Sequence, residues 1–551
     1  MTDYLRSMRD LLPSRDDLDL RPATFRADLL AGITVGVVAL PLALAFGVSS
    51  GVGPAAGLVT AVVAGIVAAV FGGSRVQVSG PTGAMAVVLA PLVAAHGAAS
   101  VPIVAVLAGA IVLVAGGARL GRAVAFIPWP VVEGFTLGIA AIIFLQQVPA
   151  AVDVDAPVGG NPLVTAVRAV SDAGSAVAWS LGGVAVVAAI MLLLPRVAPG
   201  LPASLVAVVV VTVAAELLDA PLARIGALPD GLPAPSAPDL SLGLLRDLAG
   251  PALAVAALAA IESLLSARVA SAMPSDLPDD ARRYDPDREL VGQGLASLAS
   301  GLFGGMPATG AIARTAVNVR AGARTRTAAV VHGLVILGVI YLATGPVARI
   351  PLSALAGVLM VTAVRMVNVP ASRAVLTTTR GSALVLVVTA AVTIAVDLID
   401  AVQVGLVVAA FLTLRSVAKA SSVDREPLPG PAQPGDEHIA LFRFDGALFF
   451  GAAERIAEKV RSDHDAHVVV LRLSQLRMID ATGANALAEL VADLERSGVT
   501  VLVKGIQPRH LQMLTRVGVL DNLRHEEHLF ESLDLAVAHA RSHVAREGSA
   551  R

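Results

Sequence analysis

Between Asp28 and Lys419 the chain is a succession of long apolar stretches separated by short punctuation of Gly, Pro and Arg. A spanning helix needs about 20 mainly apolar residues, and on that measure the stretch divides into fourteen intervals. They are 28–47, 53–71, 78–95, 100–117, 123–147, 178–194, 201–217, 248–268, 288–304, 310–320, 327–345, 352–368, 381–397 and 401–418. The third and tenth depart from the rest. One opens with Ser79-Gly80-Pro81-Thr82-Gly83, and the other is short and follows Gly304-Gly305-Met306-Pro307-Ala308-Thr309-Gly310. Both read as half-helices. Beyond the Pro-rich segment 420–435 the pattern changes to that of a water-soluble α/β domain, 436–551. Strands are expected at His438–Phe444, His467–Leu473 and Val499–Lys504, and helices at Glu454–Ser462, Ala481–Ser497, Pro508–Val517 and Glu531–Val544.

Fourteen helices divide as seven plus seven, with the broken elements third in each half, and an odd number per half inverts the second half relative to the first. Interrupted segments at matched positions are the best sequence pointer to a carrier's binding site. The two half-helix N-termini then face each other. Each presents unpaired N–H groups and about half a positive charge, which together suit an anion. Close helix packing is the other reading of such Gly and Pro residues, and it does not account for two matched occurrences.

Composition agrees with a membrane body. Apolar residues make up 56% and charged residues 15% of the 551, and the mean hydropathy is +0.76. The charge is concentrated at the end: 34 of the 84 Asp, Glu, Lys and Arg fall in residues 421–551. With no Cys, disulfides, thiol catalysis and Cys-based metal sites are excluded. A net charge of −2 offers no basic stripe for nucleic acid. The segment 1–27 mixes Arg and Asp without a short apolar core, so no cleaved signal is expected. Arg75, Arg119, Arg122, Arg196, Arg282, Arg283, Arg320, Arg324, Arg326, Arg373 and Arg380 fall in turns on one side, which the positive-inside rule makes cytoplasmic. Both termini and the α/β domain are expected on that side of an inner (plasma) membrane.

Charges inside spans are costly and usually functional. Glu262 is the one acid the sequence places deep in a span, and Arg314 lies one turn into the tenth interval. Together they suggest a coupling pair beside the anion. Glu133 reads as interfacial, and Asp397 and Asp400 as solvated. In the α/β domain, Asp480 or Thr482 can cap the helix that follows. Eight of the ten His lie in this domain without recognised ligand spacing, so no metal is expected. No Gly-x-x-x-x-Gly-Lys-Ser/Thr run and no nucleophile–base set appears, which argues against ATP-driven transport and against an enzyme; no cofactor is implied.

The runs Asp28–Gly36 and Ala39–Ala43, Gly73-Ser74-Arg75 through Ser79–Thr82, Glu289–Gly294 and Pro307–Arg314 together resemble the sulfate permease (SulP) family of anion transporters. The turn Asp480-Ala481-Thr482-Gly483 resembles that of the STAS domain ending most members. The resemblance implies a seven-plus-seven inverted repeat with core and gate bundles, an elevator-like motion, a homodimer, and transport of sulfate, bicarbonate, chloride or dicarboxylates. Carried over by position, the anion site uses Ser79, Gly80, Thr82, Ala311, Ala313 and Arg314 with Pro41, and Glu262 serves coupling to a proton or counter-anion. Leu42 stands where many members have Gln. Sodium-coupled bicarbonate members lack an Arg at position 314, so the Pro307–Arg314 run is closer to sulfate and dicarboxylate members. Ala481 occupies the place of the phosphorylated Ser of anti-sigma-factor antagonists and rules out that switch. Other readings are a membrane-anchored regulator acting through the STAS domain, or a nucleobase-type carrier on the same architecture.

Overall fold

A computed structural model of the chain describes residues 13, 21–122, 128–156, 160–175, 177–198, 200–238, 241–273, 282–395, 398–449, 453–461 and 466–550. A helix occupies each of the fourteen apolar intervals. In order these are α1 (Pro22–Ser49), α2 (Pro54–Phe71), α3 (Gly83–His96), α4 (Ser100–Gly117), α5 (Trp129–Gln146), α6 (Val177–Val197) and α7 (Ala203–Leu217). The second seven are α8 (Leu242–Ala272), α9 (Pro286–Leu302), α10 (Ile312–Arg320), α11 (Thr327–Leu342), α12 (Leu352–Met366), α13 (Arg380–Ala395) and α14 (Leu398–Ala420). Eight helices among the described residues are long and apolar enough to cross a membrane unaided. As the Gly/Pro punctuation suggests, α3 and α10 are short, with 14 and 9 residues. Asp397 and the side chain of Asp400 lie outside the described residues, as does most of the segment 1–27.

Besides the short turns Val148–Ala151 and Thr344–Ala348, two longer helices lie outside the expected set, Pro162–Ser171 and Val369–Thr378. Asn161 and Asn368 cap them by accepting from backbone N–H groups, and Pro follows at the start of each helix. This is the usual chemistry of a helix N-terminus.

The chain divides into two compact units, one through Leu406 and one from Val407. In the first, α1–α4 pack with α8–α11, and α5–α7 pack with α12 and α13. Small residues allow the backbones to approach in the first group, as is usual where lipid supplies no hydrophobic drive between helices. A Cβ on Gly294 of α9 would lie 2.5 Å from Leu113 N of α4, so any larger residue forces the pair apart.

The second unit holds a five-stranded sheet in the order β3-β4-β5-β6-β7. β3 (Ser422–Glu426) runs antiparallel to β4 (Ile439–Leu448), and β5 (Val468–Ile479), β6 (Thr500–Lys504) and β7 (Leu529–Phe530) continue in parallel. β3 corrects the linker expected at 420–435. Its Ser-Val-Asp-Arg-Glu sequence precedes the first proline of that segment, so its N–H groups are free to pair. Alternation along the strands splits the core into two faces. Phe442, Phe444, Val469 and Leu471 meet Ile456, Leu487 and Val491 from helices α15 (Ala453–Arg461) and α16 (Ala481–Arg496), with α17 (Pro508–Arg516) beside them. Ile439, Leu441, Val468, Val470 and Leu502 meet Ala536 and Ala540 of α18 (Leu533–Ala550). Burying a side chain such as Phe444 contributes roughly 1.5–3 kcal/mol.

Candidate functional site

The two interrupted segments meet. Ser79–Gly80 (β1) and Thr309–Gly310 (β2) pair antiparallel, Ser79 opposite Gly310 and Gly80 opposite Thr309. Each two-residue strand leads directly into a half-helix, so the first turns of α3 and α10 approach from opposite halves of the chain. Thr82 caps α3, its Oγ1 accepting from Met85 N at 3.5 Å. Ala311 precedes α10 with no side-chain cap.

Glu262, on α8, ties the two elements together. Its Oε2 accepts from Thr82 Oγ1 at 2.9 Å and from Thr309 Oγ1 at 2.8 Å. Next along α8, Ser263 Oγ accepts from Gly310 N at 3.0 Å. One carboxylate therefore touches both broken elements, and Thr309 is a site residue that the sequence reading passed over.

Arg314 is 2% exposed and among the largest fully buried side chains. Its Nη2 donates to the Pro81 carbonyl, crossing from α10 to the turn before α3. Its Nη1 is buried without a hydrogen-bond partner. A Cβ on Gly80, whose φ is +153°, would lie 2.6 Å from that nitrogen, so Gly80 is needed to admit the guanidinium. Arg314 and Glu262 also attract each other electrostatically.

The remaining predicted positions divide. Ser79 is buried, but its hydroxyl accepts from Gln293 Nε2 at 2.6 Å. The Ala311 N–H donates to Val78 O at 2.9 Å and is used in the strand pairing. Ala313 lies in the first turn of α10 and is exposed, so its amide has no acceptor within the helix. Pro41 is buried inside α1. Five residues on, Phe46 packs with Ile143 of α5 against Gly83 at the start of α3. Glu133 accepts from the exposed Trp129 indole at 3.1 Å.

Glu262 is half-buried, and other acids lie deeper. Glu289, on α9, is 1% exposed and accepts four hydrogen bonds: from Gly73 N, Ser74 N, Gln77 Nε2 and Gln293 Nε2, at 2.8, 2.9, 2.8 and 3.0 Å. It holds the loop that leads into β1. Asp28 is also buried and accepts from Arg324 N, Thr325 N and Thr325 Oγ1. Asp28 sits at the edge of the first interval and Glu289 near the start of the ninth, so both read from sequence as helix-end charges. His332 of α11 is wholly buried near Gly65 and feels the charge of Arg314.

In the second unit, Asp480 caps α16 as the turn predicts, Oδ1 accepting from Gly483 N at 2.7 Å. Gly483 sits directly against the Leu448 carbonyl, leaving no room for a side chain. Ala481 is exposed.

The arrangement can hold an anion: opposed helix starts, one buried guanidinium with an unused nitrogen, and a carboxylate able to take up a proton. Comparison with known proteins agrees. Residues 25–389 match the model of the sulfate permease family, and residues 431–536 match the STAS domain. The chain is 32% identical over 519 residues to the "Putative sulfate transporter YvdB" of Bacillus subtilis (strain 168), covering 93% of this chain and 97% of the relative. It is 31% identical over 518 residues to the bicarbonate transporter BicA of Synechocystis, covering 90% of each. Among solved structures, the murine anion transporter Slc26a9 in its inward-facing state superposes with a TM-score of 0.83 at 17% identity, over 98% of this chain and 95% of that one. The transmembrane domain of BicA superposes with a TM-score of 0.60 at 31% identity, over 71% of this chain and 98% of that one. The chain therefore belongs to the sulfate permease family: it is a multi-pass membrane anion transporter that carries a STAS domain.

Proposed function

We propose that this protein is a secondary carrier of sulfate, with C4-dicarboxylates and bicarbonate as the next candidates, and that it holds the anion between the N-termini of α3 and α10. The observation that carries this reading is the buried, unpartnered Nη1 of Arg314 beside Gly80. A donor left unsatisfied in a buried place costs about 1–3 kcal/mol, a cost that a bound oxyanion removes.

Charge arithmetic favours a dianion. Two helix starts contribute about +0.5 each and Arg314 contributes +1, giving about +2. Ionised Glu262 lowers the sum to about +1, and a proton on Glu262 restores it. A site that alternates between these states binds sulfate best when Glu262 is protonated, which couples uptake to a proton gradient; exchange against a counter-anion is the other mode. Sodium is not expected to drive it, because Arg314 occupies the region a bound cation would need. The α1–α4 and α8–α11 group would carry the site past the other helices as an elevator. We further place the transport domain at 28–419 and the STAS domain at 436–551 on the cytoplasmic side, in a homodimer within the lipid bilayer.

The test is uptake by purified protein in liposomes of labelled sulfate, succinate and bicarbonate, each with and without an inward proton or sodium gradient. The reading expects sulfate to be preferred and the proton gradient to stimulate it. Bicarbonate preferred under a sodium gradient would refute both substrate and coupling.

A further inference from the structure

The STAS unit contains a group of imidazoles that the transport function does not use. His528 lies at the end of a short 3-10 turn (Glu526–His528) entering β7, and His539 and His543 lie one turn apart on α18. Their ring nitrogens come together: His539 Nε2 and His543 Nε2 are 3.2 Å apart, and one candidate ligand atom from each of the three residues lies within 4.8 Å of the others. The His528 ring centroid is 5.5 Å from that of His539 and 5.4 Å from that of His543. His528 is 1% exposed, and its Nδ1 is buried without a partner. The spacing of these histidines along the chain matches no recognised metal motif. In fact His539-x-x-x-His543 places two ligands on one helix face, and the third arrives from the 3-10 turn before β7, which no pattern joins to it.

We propose that His528, His539 and His543 form a binding site for a divalent transition metal of the zinc class, fastening α18 to the edge of the sheet. Three observations carry it. First, imidazole nitrogens bind zinc at about 2.0–2.1 Å, which in a tetrahedron sets two ligand nitrogens roughly 3.3 Å apart; the His539–His543 pair already has this spacing. Second, a buried His nitrogen with no partner is costly, and a metal removes that cost. Third, among the described residues the set is all imidazole, which selects zinc, copper, nickel or cobalt over magnesium and calcium. Three protein ligands leave a fourth position for water. His525, exposed and edge-on to His528 at 5.4 Å, is the neighbouring imidazole, and the Phe530 ring covers His539 at 5.3 Å. Because β7 and α18 come from either side of the 530–533 turn, a shared ion closes that corner and resists its opening.

The experiment uses the full chain in detergent, free of any polyhistidine tag and stripped with a chelator. Zn2+ is titrated calorimetrically at neutral pH, and hydrogen exchange of residues 528–550 is followed with and without the ion. One Zn2+ per chain is expected, with exchange slowed across β7 and α18. Losing an outer partner of a metal site typically weakens binding 10- to 100-fold, so losing a ligand should cost at least as much: His539→Ala and His543→Ala should each weaken Zn2+ by at least about tenfold. His438→Ala, whose ring stacks on His467 instead, should leave it unchanged. No saturable binding to the wild type, or a weakening below tenfold in either ligand variant, would overturn the proposal. So would slowed exchange spread evenly over the chain. The wild-type titration and exchange data decide the matter even if a variant fails to fold.

Discussion

Replacing Arg314 separates the contribution of the guanidinium from that of the helix ends. In Arg314→Ala the anion keeps the opposed first turns of α3 and α10 but loses the Nη1 donor. A hydrogen bond to a charged group contributes about 1.5–3 kcal/mol, and each 1.4 kcal/mol is tenfold, so sulfate affinity should fall by roughly 10- to 150-fold. The same substitution leaves the Pro81 carbonyl without its donor, at a further cost of about 1–3 kcal/mol in stability. That loss must be measured separately. Arg314→Lys distinguishes the two effects: its ammonium keeps the charge but cannot span the Pro81 carbonyl and the anion as the planar fork does, so an intermediate affinity is expected. The assay is concentration-dependent uptake of labelled sulfate into liposomes, with gel filtration and thermal unfolding as controls. An Arg314→Ala protein that is folded, inserted and saturates at the wild-type sulfate concentration would refute the argument.

Glu262→Gln keeps an acceptor for Thr82 and Thr309 but cannot exchange a proton; sulfate uptake should lose its response to an imposed pH gradient while binding persists, and an unchanged response would remove Glu262 from coupling. Glu289→Ala strands three donors of the buried 73–77 loop, from Gly73, Ser74 and Gln77; at about 1–3 kcal/mol each the loss should reach at least about 3 kcal/mol, seen as a sharply lowered unfolding temperature or as failure to recover monodisperse protein. In the STAS unit, the Arg541 guanidinium holds the Asp436 carboxyl below the usual carboxylate range. A carboxyl depressed in the folded state adds stability above its unfolded value, lost as the pH falls through the folded one; the wild type should therefore lose an increment of stability below about pH 4 that Arg541→Ala has already lost. Identical pH profiles of thermal unfolding in the two proteins would contradict that role.

Much of this architecture is legible because membrane constraints are strict. An apolar run of the required length reads directly as a helix, and Gly80-Pro81 and Gly304 to Gly310 announce where two of the helices break. What the sequence does not carry is which distant groups meet. The bonds of Glu262 to Thr82 and Thr309 join residues 180 and 47 positions apart, and Arg314 reaches Pro81 across 233. No local periodicity encodes such pairings. The use of the Ala311 amide by Val78 likewise depends on the β1–β2 pairing, which two-residue strands cannot signal by alternation. Glu289 looked ordinary because an acid in the first turn of a helix is common; only the fold turns the loop at Gly73 and Ser74 back onto it. β3 was hidden by the prolines that follow it, and the imidazole cluster by the distance between His528 and α18.

The central claim is the place of the anion, and the most direct measurement is an experimental structure of the protein in a bilayer mimic with sulfate, or with selenate as its heavier analogue. The account predicts one tetrahedral anion between the first turns of α3 and α10, with an oxygen within about 2.7–3.2 Å of Arg314 Nη1 and others facing the amides of Gly83 and Ala313. Density elsewhere, with Arg314 Nη1 still unpartnered when the protein is saturated, would contradict it.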